Sequence, residues 1–245
     1  MSPIKFTDRI HDGNLEKRLR FSTKQYPKLD DDGFYDLICN LYWQLQHRIP
    51  SGPAWLGNGL MQWPQDLIAY QELMWDLKPD LVVETGTAGG GCTLFFASVL
   101  ELMRISGRIA DYQVVTVEVS PNDPSPDVAK NPRIHCIKGD SVSAEALDRV
   151  RSFWASSKTT MVFLDSGHDQ PHVSEEIEAY SPLVSLGSYL IVEDTTLDYV
   201  QPYNYTGPLG AVKQFLENHE GWAIDRYPER WPISLHPCGY LKRVG

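Results

Sequence analysis

Long apolar runs are missing from these 245 residues. No stretch approaches the roughly 20 apolar residues of a membrane-crossing helix, so no membrane partner is expected. Basic charge is also short: 22 Lys and Arg stand against 32 Asp and Glu, a net charge of -10. That sign argues against nucleic acid and anionic membranes as partners. The cysteines Cys39, Cys92, Cys136 and Cys238 lie far apart with no C-x-x-C pair. This spacing gives no zinc ribbon or disulfide framework and reads as thiols in a reducing compartment. Met1 to Asp12 is polar and has no signal-peptide core, so the expected location is cytoplasmic. There is no internal repeat and no low-complexity tract.

Two nucleotide fingerprints are missing as well, at the stretch that organises the chain. Leu81-Val82-Val83 is an apolar, β-branched run too short for a helix, closed by Glu84. It reads as a buried parallel strand. Thr85, Gly86, Thr87, Ala88, Gly89, Gly90 and Gly91 form a turn, and a helical segment runs from about Cys92 to Met103. Strand, glycine turn and helix build a ligand site at the carboxyl end of a strand. The pattern G-x-G-x-x-G fails at Ala88 in one frame and at Leu94 in the other, and no Lys-Ser/Thr follows. Dinucleotide and P-loop readings therefore drop out. A carboxylate at Glu84 would repel a pyrophosphate but suit a cationic ligand or one offering N–H and O–H donors. The plainer alternative is a turn whose glycines serve close packing.

Past the turn the chain alternates. Strands are expected at Gln113–Glu118, Ile134–Lys138, Thr160–Leu164 and Ser188–Val192, with helices at Ala144–Ser156, Pro171–Val184 and Leu209–Asn218. Trp222–Tyr227 and Tyr240–Val244 read as a closing pair of strands. This is an α/β pattern: a mostly parallel sheet with helices on both faces. Acidic residues punctuate it. Glu84, Glu118, Asp140, Asp165 and Glu193-Asp194 each close or directly follow a different apolar run. In a parallel sheet those ends share one edge, so five strands deliver carboxylates to one rim.

Each of these residues has a functional and a structural reading. Glu118 is placed to accept hydrogen bonds from ribose hydroxyls, or it is a solvated strand end. Asp140 and Ser141 border an adenine, or they form a simple turn. Asp165, Glu193 and Asp194 are hard oxygen donors suited to Mg²⁺, or one salt-bridged acid and two solvated ones. Adjacent strand residues point to opposite faces, so Glu193 and Asp194 can share an ion only if the chain turns there. His168 and His172 are four apart, but Pro171 starts a helix between them and no cysteine completes a zinc set. His168 is then a substrate-facing base, a supporting group or a structural hydrogen-bonder.

Before the first strand the sequence is less specific. Asp30-Asp31-Asp32 reads as a solvated turn, and Phe34, Leu37, Ile38, Leu41 and Leu45 share a helical face. A loop from Pro50 to Pro64 carries Trp55 and Trp63 and is expected to pack on the body, a partner subunit or a ligand. A helix follows at about Gln65–Leu77. We divide the chain into an N-terminal helical extension with its aromatic loop, residues 1–64, and a main domain, residues 65–245.

Several motifs in order carry a family resemblance. They are Trp63-Pro64-x-Asp66 with Tyr70, and Lys78-Pro79-Asp80-Leu81 running into Glu84-Thr85-Gly86-Thr87-x-Gly89-Gly90. Next come Gly139-Asp140-Ser141, Leu164-Asp165-Ser166-x-His168 and His172-Val173. Gly187-x-Tyr189 to Thr195, Gly207-Pro208 and Pro237-x-Gly239-Tyr240-Leu241 complete the set. Over about residues 50 to 243 the chain resembles the cephalosporin hydroxylase family, which includes rhamnosyl O-methyltransferases. The resemblance implies a Rossmann-like class I methyltransferase with a seven-stranded, mostly parallel sheet, using S-adenosylmethionine and Mg²⁺ on a small-molecule hydroxyl. It implies that Glu84 to Gly91 and Glu118 hold the cofactor, Asp140 and Ser141 border its adenine, and Asp165 stands between cofactor and metal. Asp165, Glu193 and Asp194 would bind the metal, and His168 or Asp169 would take the hydroxyl proton. The chain departs from the family pattern at Cys92, Gly167, Asp169 and Thr206. The loop Thr195–Pro208, with Tyr199, Tyr203 and Tyr205, is the expected acceptor wall, and a homo-oligomer is expected. Two alternatives accompany this reading: a non-catalytic cofactor-binding subunit, and a hydroxylase, against which the absence of flavin, haem and 2-His-1-carboxylate patterns counts.

Overall fold

Five apolar runs that alternate with amphipathic stretches need cover on both faces, and the chain supplies it with helices. The fold is seen in a computed structural model that describes residues 53–120, 124–200, 206–231 and 233–245. The expected helix at 34–45, the aspartate triplet, Cys39, Tyr203 and Tyr205 lie outside these residues.

The described chain opens with a small hairpin, β1 (Ala54–Trp55) and β2 (Asn58–Gly59). Leu56 and Gly57 both take positive φ, as a type I′ turn requires. Helix α1 (Pro64–Leu77) starts on a proline and stops at Lys78, whose left-handed backbone precedes Pro79. Then come β3 (Leu81–Thr85), α2 (Gly91–Ile105), β4 (Gln113–Glu118), α3 (Pro126–Ala129), β5 (Ile134–Lys138), α4 (Ala144–Trp154), β6 (Thr160–Leu164) and α5 (Gln170–Tyr180). The chain ends with β7 (Tyr189–Val192), α6 (Leu197–Val200), α7 (Pro208–Asn218), β8 (Trp222–Ile224) and β9 (Tyr240–Arg243). Ser143 and Asp169 cap α4 and α5 with their side chains.

Seven strands form one sheet in the order β5-β4-β3-β6-β7-β9-β8. β3 to β7 pair in parallel, and β9 runs antiparallel to both its neighbours. Register aligns Thr85 with Val117 and Leu164, Leu164 with Val192, and Glu118 with Lys138. The residues that follow these strands therefore share one edge. Strand order reverses between β3 and β6, which opens a crevice there.

Alternation along the strands splits the core. Leu81, Val83, Val115, Val162 and Leu164 pack under α4, α5 and α7. Val82, Val114, Met161 and Phe163 face α1 and α2, where Phe96 meets Phe163 at a 4.2 Å ring separation. Among the described residues no helix is long and apolar enough to cross a membrane. Cys92, Cys136 and Cys238 are thiols.

The aromatic loop packs on the body. Trp55 meets Phe95 edge to face at 5.0 Å, and its indole N–H donates to Ser98 Oγ at 3.1 Å. The Gly59 backbone lies on the glycine turn: a Cβ at Gly89 would sit 2.8 Å from the Gly59 carbonyl, and one at Gly91 would run into it. Gln62 and Trp63 are buried.

Candidate active site

The sharpest feature of the carboxyl edge is a group of acids at β6 and β7. The Asp165 N–H donates to the Thr85 carbonyl at 3.0 Å, and the Glu193 N–H donates to the Leu164 carbonyl at 3.0 Å. Gly86 makes the first approach possible, because a Cβ there would run into the Asp165 carbonyl. Asp194 has φ +55, a left-handed conformation that non-glycine residues seldom take. That turn brings Asp194 beside Asp165, as sharing one ion demands.

The grouping differs from the expected set in one respect. Ligand atoms of Asp165, His168 and Asp194 all lie within 4.8 Å of one another, and His168 Nε2 is 3.4 Å from Asp194 Oδ2. Glu193 stands behind them, with its Oε1 accepting the Tyr70 hydroxyl at 2.8 Å. Gln62 Nε2 donates to Glu193 Oε2 and lies 3.4 Å from Asp165 Oδ2, tying the acids together. Burial raises all three carboxyls above the ordinary range, and repulsion between neighbouring acids adds to the rise at Asp165 and Glu193. At Asp194 the nearby His168 works in the opposite sense. A cation would relieve this clustered charge, and the hard oxygen donors suit Mg²⁺. The donor set fits the metal expected.

A cleft of about 480 Å³ leads from these acids along the sheet edge, with Gly86, Glu118, Asp140, Ser141, Asp165 and His172 in its wall. Glu118 accepts the Ala88 and Ser120 N–H groups, both at 2.8 Å, and Asp140 accepts the Val142 N–H at 3.1 Å. Both carboxylates are thereby aimed by backbone N–H groups. The Ser141 hydroxyl is 3.3 Å from His172 Nε2, which Ser166 also contacts at 3.0 Å. A row of hydrogen-bond acceptors with no phosphate cradle fits a ligand bearing hydroxyls and a positive charge.

Other expected cofactor residues lie beneath this cleft or beside it. Glu84 is buried and accepts the hydroxyls of Thr93 and Thr116, so its hydrogen bonds go under the turn; burial pushes its carboxyl to about 7. The buried Thr85 hydroxyl has no partner among the described residues. Thr87 meets the Thr116 hydroxyl at 2.6 Å and borders an adjoining hollow beyond Glu118. Gly89 and Gly91 carry the hairpin, and Gly90 packs on Val128. Of the two bases offered by the sequence, Asp169 is exposed and accepts the His172 N–H at 3.3 Å as a helix cap, while His168 stands with the acids.

Sequence reasoning missed what stands behind the acids. His236 is buried, and its Nδ1 accepts the Asp194 N–H at 2.7 Å while Nε2 lies 3.1 Å from Gln62 Oε1. Burial lowers its imidazole to about 3. Asp66, whose carboxyl burial raises to about 6, accepts the Ser234 hydroxyl, the Leu235 N–H and the Tyr240 hydroxyl. The Trp63-Pro64-x-Asp66 motif with Tyr70, and the Pro237-x-Gly239-Tyr240 motif beside His236, hinted at these partners without naming His236 or Gln62.

The sheet order, the antiparallel β9 and the acid-lined crevice define a class I methyltransferase fold. Residues 50–244 match the rhamnosyl O-methyltransferase/CmcI family, and the chain belongs to that family, an O-methyltransferase. Rhamnosyl O-methyltransferase of Mycobacterium leprae is 31% identical over 193 residues, covering 76% of this chain and 81% of the relative. The Mycobacterium bovis protein of the same name is 29% identical, with 74% of each chain covered. A structure of CmcI with Mg and S-adenosylmethionine superposes with a TM-score of 0.60 at 21% identity, covering 80% of this chain and 78% of that one. A putative caffeoyl-CoA O-methyltransferase from Staphylococcus aureus superposes at 0.52 with 16% identity, over 85% and 92% of the two chains.

Proposed function

We propose that the chain moves a methyl group from S-adenosylmethionine to a hydroxyl of a small molecule, a sugar or another natural product, with Mg²⁺ bound at the acidic cluster. The observation that carries the reading is the Asp165–His168–Asp194 cluster, whose Asp165 also lines the switch-point cleft. Glu118 accepts the ribose hydroxyls, Asp140 and Ser141 border the adenine, and Gly86 lets the backbone come close. Asp165, Asp194 and Glu193 hold the metal. When bound, the sulfonium supplies the methyl and the cation supplies positive charge beside the oxygen that loses its proton.

The chain's own work is to place, desolvate and deprotonate the acceptor hydroxyl. An alcohol is a poor nucleophile until its proton leaves, and His168, partly exposed beside Asp194, takes it on an imidazole nitrogen. Asp194 orients the imidazole. Holding donor and acceptor in line supplies up to about 7 to 11 kcal/mol in favourable cases. A glycosyl hydroxyl is the acceptor class we favour, since the Mycobacterium relatives are named for a rhamnosyl group. Self-association and a cytoplasmic location belong to the same proposal and rest on the sequence.

The test is transfer of labelled methyl to a panel of rhamnosides, other glycosides and catechols, alongside calorimetry of cofactor binding. Methylation of a glycosyl hydroxyl is expected. Cofactor binding with no product from any acceptor would favour the non-catalytic subunit, and no binding would overturn both readings.

A further inference from the structure

We infer that His236 is the positioning residue of the acidic cluster: its ring holds the left-handed turn at Asp194 and, through Gln62, aims an amide at Glu193 and Asp165. The inference rests on the cation site proposed above.

Hydrogen-bond polarity fixes the argument. The Asp194 N–H must donate, so His236 Nδ1 must accept, at 2.7 Å. The ring proton is then on Nε2, which donates to Gln62 Oε1 at 3.1 Å. With its oxygen so committed, Gln62 presents its NH₂ to Glu193 Oε2 and Asp165 Oδ2. A flipped Gln62 would set its oxygen against two carboxylates and its NH₂ against the His236 N–H. One arrangement therefore satisfies every partner from the Asp194 backbone to the Asp165 side chain.

The ring is itself held from both sides. Its own backbone N–H donates to Ser234 Oγ at 2.9 Å, and Ser234 donates to Asp66 at 2.6 Å, fixing the 234–236 segment on α1. Tyr70 lies nearly parallel to the ring, with centroids 5.9 Å apart and planes at 15°, and the same Tyr70 donates to Glu193. His236 thus reaches the turn at Asp194 by its Nδ1 and both other acids through one amide. Groups that orient metal ligands from behind typically change metal affinity by about 10- to 100-fold.

Mn²⁺ binding by the full chain, followed by electron paramagnetic resonance well below its unfolding temperature, tests this without any turnover. The wild-type chain is expected to bind Mn²⁺, and His236→Ala to bind about 10-fold more weakly or worse. His236→Asn, whose side-chain oxygen can still accept the Asp194 N–H, should recover most of that loss. Gln62→Leu, which leaves the Asp194 turn intact, should weaken binding and serves if His236→Ala does not fold. Wild-type affinity in both His236→Ala and Gln62→Leu would overturn the inference, whatever happened to their melting temperatures. No Mn²⁺ binding by the wild-type chain would overturn the cation reading and this inference with it.

Discussion

Acids at the ends of β6 and β7 look in sequence like those at the ends of β4 and β5, yet the fold treats them oppositely. Glu118 and Asp140 are partly or fully accessible and take their hydrogen bonds from backbone N–H groups, those of Ser120 and Val142 in their own loops and that of Ala88 on the neighbouring glycine turn. Asp165, Glu193 and Asp194 are crowded: the first two take theirs from Gln62 and Tyr70, and the Asp194 backbone N–H donates to His236, partners brought in from α1, the loop ahead of it and the segment before β9. An accessible carboxylate aimed by backbone N–H groups keeps lone pairs for a ligand that comes and goes. Carboxylates buried against one another need a cation, a proton or a donor held by distant parts of the chain. The first arrangement suits an exchangeable cofactor with hydroxyls, the second a metal.

The comparison breaks most sharply at Asp165. Asp165→Asn should lower kcat/KM about 10³-fold, several kcal/mol of lost stabilisation, while the metal-free protein melts no lower because one repelling acid is gone. Steady-state kinetics with a thermal melt in EDTA check both halves. His168→Gln comes next, with kcat down by about 10²-fold and cofactor affinity by calorimetry unchanged. At the other region the signature should invert. Glu118→Gln should raise the KM for S-adenosylmethionine by about tenfold, the value of one lost charged hydrogen bond, and leave Mn²⁺ affinity as in the wild type. A loss of metal binding there would mean the two regions are one.

The smallest effect is on stability. Burial raises the Glu84 carboxyl from 4.5 to about 7, so the folded state holds a proton that the unfolded state releases. Stability from this group is full below pH 4.5 and is lost as pH rises through about 7. Glu84→Gln should therefore flatten the fall in melting temperature between pH 5 and pH 7.5, measured in chelator at about constant ionic strength.

Much of the fold was legible because β3, β4, β5 and β6 are apolar runs bounded by turns; the last three match the sequence reading, and β3 runs on to Thr85, two residues past its apolar run. The hairpin at 54–59 was not, since two-residue strands carry no periodicity. Helix α5 ends at Tyr180 rather than Val184, because Pro182 begins a single tighter turn over Ser181–Leu183. The acids of the site could be read because strand ends gather on one edge. Their partners could not: Gln62 and His236 meet across 174 residues of sequence, and nothing local to either predicts the contact. Glu84 shows how burial adds to a reading made from position alone. Its position before a glycine turn suggested a ligand, but as the fourth residue of β3 it lies inside the sheet, against Thr93 and Thr116.

Methyl transfer from labelled S-adenosylmethionine to a glycosyl hydroxyl, measured in EDTA and again as Mg²⁺ is titrated back, addresses the central claim most directly. The account predicts turnover that collapses in chelator and returns with Mg²⁺ in the wild-type chain, with no return in Asp165→Asn. Undiminished turnover in chelator would contradict it.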